Sequence, residues 1–220
     1  AWTLSEGRGA GVKIYDVEGA WNQNHEDLLL NVPLVVTGKP EDQDDDRHGT
    51  AVLGELVSKS MNGLGMNGVC FGADVGLAPD ITVENGLVLH DAIAHCVNDG
   101  SAGDVILIEV RITDVCGMGS GFNGPVVWCT IFFEAIQVAT ANGFIVVVAA
   151  GDGNVHSGPP YQGINLDQSG CYNRSDLGTR DSGAIIVGAG ESAVSAMPRK
   201  RLPGSSFGSR VDAQAWGDDV

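Results

Sequence analysis

The sequence predicts an α/β domain in three layers, with a mostly parallel sheet flanked by helices. Short apolar runs typical of buried parallel strands alternate along the chain with segments whose apolar residues recur at helical spacing. Such alternation indicates parallel strands joined by helices that cover both faces of the sheet. With 220 residues, 43% of them apolar, the chain is long enough to bury one such core.

Six apolar runs are the predicted strands. They are short, as strands buried on both faces usually are. They span Val12 to Tyr15, Pro33 to Val36, Val75 to Ala78, Val105 to Val110, Ile145 to Ala149 and Ala184 to Val187. Functional groups in such sheets collect at the carboxyl ends of the strands. This rule points to Asp16, which follows the first run, and to the turn from Gly151 to Asn154, which follows the fifth.

Three segments between these runs are predicted helices. Their apolar residues are separated by one, three or four positions, which places them on one helical face. The segments run from Val52 to Val57, from Val88 to Val97 and from Ile131 to Ala139. Two further segments, 117–124 and 155–180, are rich in Gly, Pro, Asn and Ser and are predicted to be surface loops.

Charge and hydropathy exclude two classes of partner. Twelve basic against 28 acidic residues leave a net charge of −16, which repels nucleic acids and anionic membrane surfaces. The longest apolar runs, such as Phe144 to Ala150, are far shorter than the roughly 20 residues needed to span a bilayer. We therefore expect no nucleic-acid partner and no membrane partner.

The five cysteines leave the redox state open. They contain no C-x-x-C pair, so a structural zinc site is not expected. An acidic, glycine-rich and lysine-poor chain suits an extracellular enzyme, in which two disulfides and one free thiol would form. Buried thiols are the alternative, and the sequence does not assign pairs among Cys70, Cys96, Cys116, Cys129 and Cys171.

Two side chains that carry chemistry stand 32 residues apart. Asp16 follows the first predicted strand, and His48 opens an amphipathic helix in the tripeptide His48-Gly49-Thr50. Taken alone, an aspartate after a strand is usually a loop or capping residue, and a single histidine is usually structural. Their combination is more specific.

The combination resembles the first two active-site blocks of the subtilisin-like serine peptidases, the subtilases of peptidase family S8. Further blocks follow in the order of that family, so the likeness covers nearly the whole chain. They are His25-Glu26-Asp27-Leu28, the loop from Asn62 to Ala73, the strand from Ile145 to Gly151 and the segment from Ser206 to Asp212.

The resemblance implies a serine-type endopeptidase that acts on peptides or proteins through an Asp-His-Ser triad. A serine hydroxyl is a poor nucleophile until a neighbouring imidazole takes its proton. Asp16 would hold His48 in the correct tautomer, and His48 would act as general base and then as general acid. Gly49 would let backbone and substrate approach the histidine closely.

The third member of the triad is not found in the sequence. The family's nucleophile lies in a Gly-Thr-Ser motif that opens a late helix, and no serine here stands in that context. We therefore expect residues 1–220 to form a partial subtilisin-like peptidase domain, incomplete at its C-terminus, with the serine beyond Val220. Because loss of the serine lowers turnover of subtilisin about a millionfold, the segment alone is expected to be inactive.

Two places depart from the family pattern. Asp152 occupies the slot of the oxyanion asparagine, and an ionised aspartate accepts hydrogen bonds but cannot donate them. In subtilisin, loss of that donor slows the reaction about 10²–10³-fold, and Asn154 is an alternative donor. Glu109, Val110 and Arg111 occupy the substrate-binding strand, so the first side-chain pocket is altered, although backbone pairing with an extended peptide could survive.

The resemblance also implies a structural calcium site. Asp27 and Asn62 stand where the family's commonest calcium site takes side-chain oxygens, with the carbonyls of Ser60, Leu64 and Met66 as further partners. Oxygen ligands of this kind suit calcium. The alternative is that both side chains are simply solvated in surface loops.

An acidic run from Glu41 to Asp46 stands just before His48. Such a run is usually a solvated loop. Beside a catalytic histidine it would instead favour basic residues in the substrate.

Two other functions compete with proteolysis. A degenerate homologue would bind peptides or proteins without cleaving them, and Asp152 and Glu109 motivate this alternative. A nucleotide-binding α/β domain would share the strand and helix pattern, but the sequence has no G-x-G-x-x-G or phosphate-binding loop at its first strand-to-helix turn. Of these functions we expect proteolysis. The triad chemistry needs no cofactor, and the composition suits a secreted protein.

Overall fold

The computed structural model describes residues 2–4, 6–28, 30, 32–36, 38–40, 46–59, 62–113, 121–154, 162–167 and 181–218. The chain divides into two compact units. The first contains Ala1–Ile108 with Ala141–Ile145, and the second contains Glu109–Thr140 with Val146–Val220. Each unit contains parallel strands.

The first unit alternates strands and helices. Its elements are β1 (Lys13–Glu18), α1 (Arg47–Val57), β2 (Asp74–Pro79), β3 (Ile81–Thr82), β4 (Gly86–Leu87), α2 (Leu89–Asp99), β5 (Val105–Ile108) and a 3-10 turn at Glu6–Arg8. β1 lies between β2 and β5 and pairs in parallel with both, so that Asp16 is opposite Leu77 on one side and Leu107 on the other. β3 and β4 form a separate antiparallel pair.

Side chains of β1 alternate between two helices. The hydroxyl of Tyr15 donates to Asp99 Oδ2 in α2 at 2.8 Å. Glu18 contacts His48 in α1. Residues of odd and even number point to opposite faces of a strand, so α1 and α2 cover opposite faces of the sheet. The predicted covering of both faces is therefore confirmed in this unit.

An apolar cluster holds α1 on the sheet. Leu53 and Val57 of α1 are buried against Val75 and Leu77 of β2, together with Leu28. Full burial of one such side chain contributes roughly 1.5–3 kcal/mol. The cluster therefore anchors the helix whose first turn carries His48.

The second unit contains a parallel sheet and a smaller antiparallel one. The elements that lie wholly or mostly in it are β6 (Arg111–Thr113), β7 (Phe122–Pro125), α3 (Thr130–Ala141), β8 (Ile145–Ala149), β9 (Gly153–Asn154), β10 (Ile185–Gly190), β11 (Ala213–Trp216) and a 3-10 turn at Val126–Trp128. β10 pairs in parallel with β8 and β11. β7 pairs antiparallel with β6 and β9.

The predicted fold class is confirmed, and two predicted strands are corrected. The run from Pro33 to Val36 forms one bridge, between Leu34 and Leu77, and no strand. Pro33 has no N–H to donate, which limits a hydrogen-bonded ladder at this point. The run from Val105 to Val110 ends as a strand at Ile108.

Six strands of the described chain lie outside the predicted runs, namely β3, β4, β6, β7, β9 and β11, because each is only two to four residues long and none contains a continuous apolar run. β7 overlaps the end of the predicted loop 117–124. Residues 117–120 of this loop lie outside the described part of the chain, and so do residues 155–161 and 168–180 of the other predicted loop. β11 is exposed along all of its length and contains glutamine and two alanines. Among the described residues, no helix has the length and apolar character needed to cross a bilayer.

Three cysteines in the described residues carry free thiols, namely Cys70, Cys96 and Cys129. Burial raises the pKa of Cys96 to about 12, and burial also raises the pKa of Cys70. Thiols with raised pKa values are poor nucleophiles and metal ligands at neutral pH. Three free thiols among five cysteines contradict the expectation of two disulfides and one free thiol, and Cys116 and Cys171 lie outside the described residues.

Candidate active site

His48 lies in the first turn of α1, where it faces the end of β1. Its Nδ1 atom is 2.7 Å from Oε1 of Glu18. The Glu18 side chain is 13% exposed, whereas the His48 side chain is 64% exposed. The second carboxylate oxygen, Glu18 Oε2, accepts the backbone N–H of Gly19 at 3.1 Å. The carboxylate is therefore fixed at both oxygens, and the imidazole is open to solvent.

The sequence places Asp16 after the first strand, but β1 continues to Glu18, so Asp16 lies within the strand, two residues before Glu18 and on the same face. It is fully buried. Its Oδ2 atom accepts the indole N–H of Trp21 at 2.8 Å. The structure thus places both predicted catalytic residues of the first unit on adjoining elements. It adds Glu18, which the sequence argument missed and which the two-residue period of β1 would have placed on the same face as Asp16.

Gly49 allows α1 to approach the chain that follows β1. A Cβ atom at this position would lie 2.5 Å from the carbonyl oxygen of Ala20 and 2.8 Å from Cδ1 and Nε1 of Trp21. Because those distances are far below normal contact, glycine is required here. The backbone amide of Asn22 also donates to Thr50 Oγ1 at 2.8 Å, which joins the same two segments.

A third carboxylate, Asp80, follows β2 beside the end of β1. Its backbone amide donates to the carbonyl of Glu18 at 3.1 Å. The residue is 5% exposed. Burial, and then the charge of Glu18, raise the pKa of Asp80 to about 6. Glu18 and Asp80, two acids with different surroundings, therefore lie next to each other at this end of the sheet.

In the second unit, Asp152 forms an ion pair with Arg111. Asp152 Oδ2 is 2.9 Å from Arg111 Nη1, and both side chains are more than half exposed. Gly151 and Gly153 flank the aspartate with φ values of 89° and 72°. A Cβ at Gly153 would lie 2.1 Å from the carbonyl oxygen of Gln162. The turn that presents Asp152 is therefore specified by glycines on both sides.

The other residues predicted for substrate binding lie around β6. Arg111 is its first residue, while Glu109 and Val110 precede it and are not in a strand. Asn154 lies in β9, where its backbone amide donates to the carbonyl of Gln162 at 2.8 Å. Arg111 and Asp152 are among the residues that line a cavity of about 500 Å³ in this unit.

The residues predicted to bind calcium form a hydrogen-bonded loop. Asp27 is 3% exposed. Its Oδ1 accepts from Asn62 Nδ2 at 2.7 Å, and its Oδ2 accepts the backbone N–H of Met66 at 3.0 Å. Asn62 Oδ1 accepts the backbone N–H of Leu64 at 3.0 Å. Because these oxygens face N–H donors, the arrangement does not fit a cation, and calcium binding stays a prediction of the resemblance that this geometry does not support.

Several predicted residues lie outside the described part of the chain. They are Ser60, proposed as a calcium partner, and 41–45 of the acidic run. Asp46, the last residue of that run, directly precedes α1.

The model of the subtilase family matches residues 22–218 of the chain. No curated protein matches the chain in sequence. The matched residues fall in both compact units and include His48, Arg111 and Asp152.

Solved proteases, two of them described as subtilisin-like, are similar to the chain in fold. The psychrophilic subtilisin-like protease Apa1 from the Antarctic psychrotroph Pseudoalteromonas sp. AS-11 is 21% identical, with a TM-score of 0.63 over 98% of this chain and 43% of its own. A cold adapted subtilisin-like serine proteinase is 18% identical, with a TM-score of 0.65 over 99% of this chain and 67% of its own. The prenylagaramide maturation protease PagA is 17% identical, with a TM-score of 0.61 over 100% and 67%. The chain therefore spans less than half of the first protein and about two thirds of the others.

Proposed function

Because the chain belongs to the subtilase family, we propose that the protein is a serine endopeptidase that cleaves peptide or protein substrates. The sequence contains no Gly-Thr-Ser motif, so we place the nucleophilic serine beyond Val220. The observation that carries the proposal is the His48 ring, which is held by a carboxylate at Nδ1 and is exposed to solvent. This is the arrangement that a general base needs.

His48 would move one proton through each half of the reaction. As the serine oxygen attacks the substrate carbonyl carbon, the imidazole takes the hydroxyl proton. It then gives that proton to the leaving amine as the peptide C–N bond breaks. In the second half, it takes a proton from water, whose oxygen attacks the acyl carbon, and returns it to the serine oxygen. The carboxylate at Nδ1 stabilises the imidazolium formed in each half.

Asp16 belongs to the proposed site as its buried acid. The family resemblance assigns the triad carboxylate to this residue. The contact of Asp16 with the Trp21 indole supports a place for it in the wall behind α1. Both residues are close to the segment that carries His48, because Trp21 adjoins Gly49.

Arg111 would offset the negative charge of Asp152 at the oxyanion position. An ionised Asp152 would repel the oxyanion of the tetrahedral intermediate, since it accepts hydrogen bonds and carries a negative charge. The guanidinium of Arg111 lies at 2.9 Å from that carboxylate, offsets its charge and brings further N–H donors to the same turn. We place Arg111 and Asp152 together at the oxyanion position for this reason.

An extended peptide would bind beside the β6 segment. Among the described residues, β6 is an edge strand of its sheet, whereas β9 at the other edge is bridged to Gln162. An edge strand offers unpaired backbone N–H and C=O groups to an added strand. The strongly acidic chain, with its run from Glu41 to Asp46, would favour basic residues in that peptide. The acidic, glycine-rich composition supports action outside the cell.

The test is covalent labelling of the full-length protein with an organophosphonate probe for serine hydrolases. We expect the wild type to be labelled and to cleave a peptide substrate, and His48→Ala to lose both activities. Cleavage by His48→Ala at the wild-type rate would contradict the assignment. A wild-type protein that binds peptides but is neither labelled nor active would instead identify the non-cleaving homologue.

A further inference from the structure

We propose that Glu18 is the residue that orients His48 and stabilises its cation, and that Asp16 acts one step removed, by holding Trp21 against the start of α1. The proposal rests on the function proposed above and changes the identity of the acid in its triad. It makes Glu18 and Asp16 positioning residues with separable roles.

The contact between Glu18 and His48 carries the first half of the proposal. A distance of 2.7 Å between Oε1 and Nδ1 is that of a charge-assisted hydrogen bond. Such a bond fixes the proton of a neutral imidazole on Nδ1 and leaves Nε2 as the acceptor that a serine hydroxyl requires. The low exposure of Glu18, at 13%, reduces competition from water for the same oxygen.

The backbone around Glu18 holds its carboxylate in place. Oε2 accepts the N–H of Gly19, the next residue in the chain. The carbonyl of Glu18 accepts the amide of Asp80 at 3.1 Å, which ties the end of β1 to the chain after β2. A glutamate has more rotatable bonds than an aspartate, and the contact of Oε2 with the Gly19 N–H restricts that freedom, whereas the Asp80 contact fixes the backbone from which the side chain extends.

The position of His48 in α1 makes the carboxylate necessary. The first turn of a helix carries a partial positive charge, which disfavours a protonated histidine. α1 begins at Arg47, so His48 is the second residue of the helix. The negative charge of Glu18 offsets this effect at the moment when His48 holds the serine proton.

The contacts of Asp16 carry the second half of the proposal. Asp16 Oδ2 accepts the Trp21 indole N–H at 2.8 Å. The indole packs against Gly49, since a Cβ added to this glycine would lie 2.8 Å from the indole Nε1. Asp16 therefore supports, through Trp21, the residue next to His48. Residues two apart on a strand are roughly 6–7 Å from each other, so Asp16 and Glu18 present their carboxylates at different points along β1.

The experiment compares matched substitutions in the full-length protein. Glu18→Gln keeps the shape of the side chain, removes its charge and offers an amide N–H to Nδ1, which favours the wrong tautomer. We expect kcat to fall about 10³–10⁴-fold, as for the corresponding amide change in other triads, with little change in KM. Glu18→Asp should restore part of this loss. Asp16→Asn, which still accepts the indole N–H, should lower kcat less than about tenfold.

Two readouts separate orientation from folding. In Glu18→Gln, the acidic limb of the kcat/KM profile and the midpoint of the His48 ring titration by NMR should both move down by about one pH unit or more, because a favourable opposite charge is lost. Glu55→Gln, an exposed glutamate of α1, serves as the control and should leave both unchanged. Equal melting temperatures of the variants confirm that they are folded.

The opposite ranking would overturn the proposal. If Asp16→Asn loses 10³-fold or more and lowers the His48 titration midpoint, while Glu18→Gln does neither, Asp16 is the orienting acid. Failure of the proposed function is recognised separately. A wild type without labelling or cleavage would reject the peptidase, whereas the NMR midpoint of His48 would still decide between Glu18 and Asp16.

Discussion

Three acidic residues on β1 and directly after β2 differ in their surroundings. Asp16 is fully buried and accepts an indole N–H. Asp80 is 5% exposed, and its pKa is raised to about 6, first by burial and then by the charge of Glu18. Glu18 is less buried and faces the His48 ring. Because a buried charge needs a partner, Glu18 is the acid best placed to pair with the histidine.

Asp80 gives the stability of the protein a specific dependence on pH. Its pKa in the folded state, about 6, is above its ordinary value of 3.8, so between these values the folded chain binds the proton more tightly than the unfolded chain does. The contribution of Asp80 to stability therefore falls as pH rises from about 4 to about 6. Above that range, the folded state contains a buried charge.

We expect Asp80→Asn to remove this dependence. Relative to wild type, the variant should gain about 2–3 kcal/mol of unfolding free energy between pH 4 and pH 8, since one pKa unit corresponds to about 1.4 kcal/mol. Urea unfolding at both pH values measures the difference. Asp74→Asn, at the exposed start of β2, is the control, and a gain for Asp80→Asn that is the same at both pH values would contradict the argument.

The pair formed by Arg111 and Asp152 is better tested by kinetics than by stability. Both side chains are more than half exposed, so the pair contributes little to folding. We expect Arg111→Met to lower kcat about 10–100-fold when Asp152 is present, because the aspartate charge is then uncompensated. In the Asp152→Asn background, the same change should lower kcat less than about threefold.

A double-mutant cycle on kcat measures this coupling. Independent effects of the two substitutions would show that Arg111 does not act through the charge of Asp152. Unfolding free energies of the four proteins provide the control for structural damage.

At the scale of elements, β1 and α1 are positioned by different forces. β1 is the central strand of three and is paired on both sides. α1 is held by the cluster of Leu28, Leu53, Val57, Val75 and Leu77 and by the close approach at Gly49. The place at which the first turn of α1 meets β1 sets which carboxylate of the strand reaches His48.

The loop after α1 depends on Asp27. This carboxylate accepts one hydrogen bond from the Asn62 amide and one from the Met66 backbone, and it is almost fully buried. We expect Asp27→Ala to lower the unfolding free energy by about 2–4 kcal/mol, because two donors lose a charged acceptor. Asp91→Ala, an exposed aspartate of α2, should change it by less than about 0.5 kcal/mol.

The same loop tests the calcium prediction. Because the oxygens of Asp27 and Asn62 face N–H donors, we expect a calcium chelator to leave the melting temperature of the wild type unchanged within about 1 °C. A decrease of several degrees that added calcium reverses, and that Asp27→Ala abolishes, would instead establish the site that the family resemblance implies.

At the scale of the whole molecule, the fold follows from patterns that sequence reveals well. The apolar period of each helix and the short apolar runs of β1, β2, β8 and β10 reflect burial on both faces of a parallel sheet. Each element overlaps its predicted range, although β1 continues to Glu18 and β10 to Gly190. The exposed strand β11 is missed, and the Pro33 segment is wrongly predicted to be a strand, because the apolar patterns do not report which backbone groups form hydrogen bonds.

For the candidate site, too, some features follow from the sequence and others only from the tertiary structure. The sequence by itself predicted that His48 opens a helix and that Asp16 lies on the first strand, and the family match to residues 22–218 includes His48 but begins after Asp16. Only the tertiary structure brought Glu18 to Nδ1 of His48 and Arg111 to Asp152. Such contacts depend on how elements pack and on where each side chain can reach, and neither quantity is encoded in the local period of hydrophobic residues.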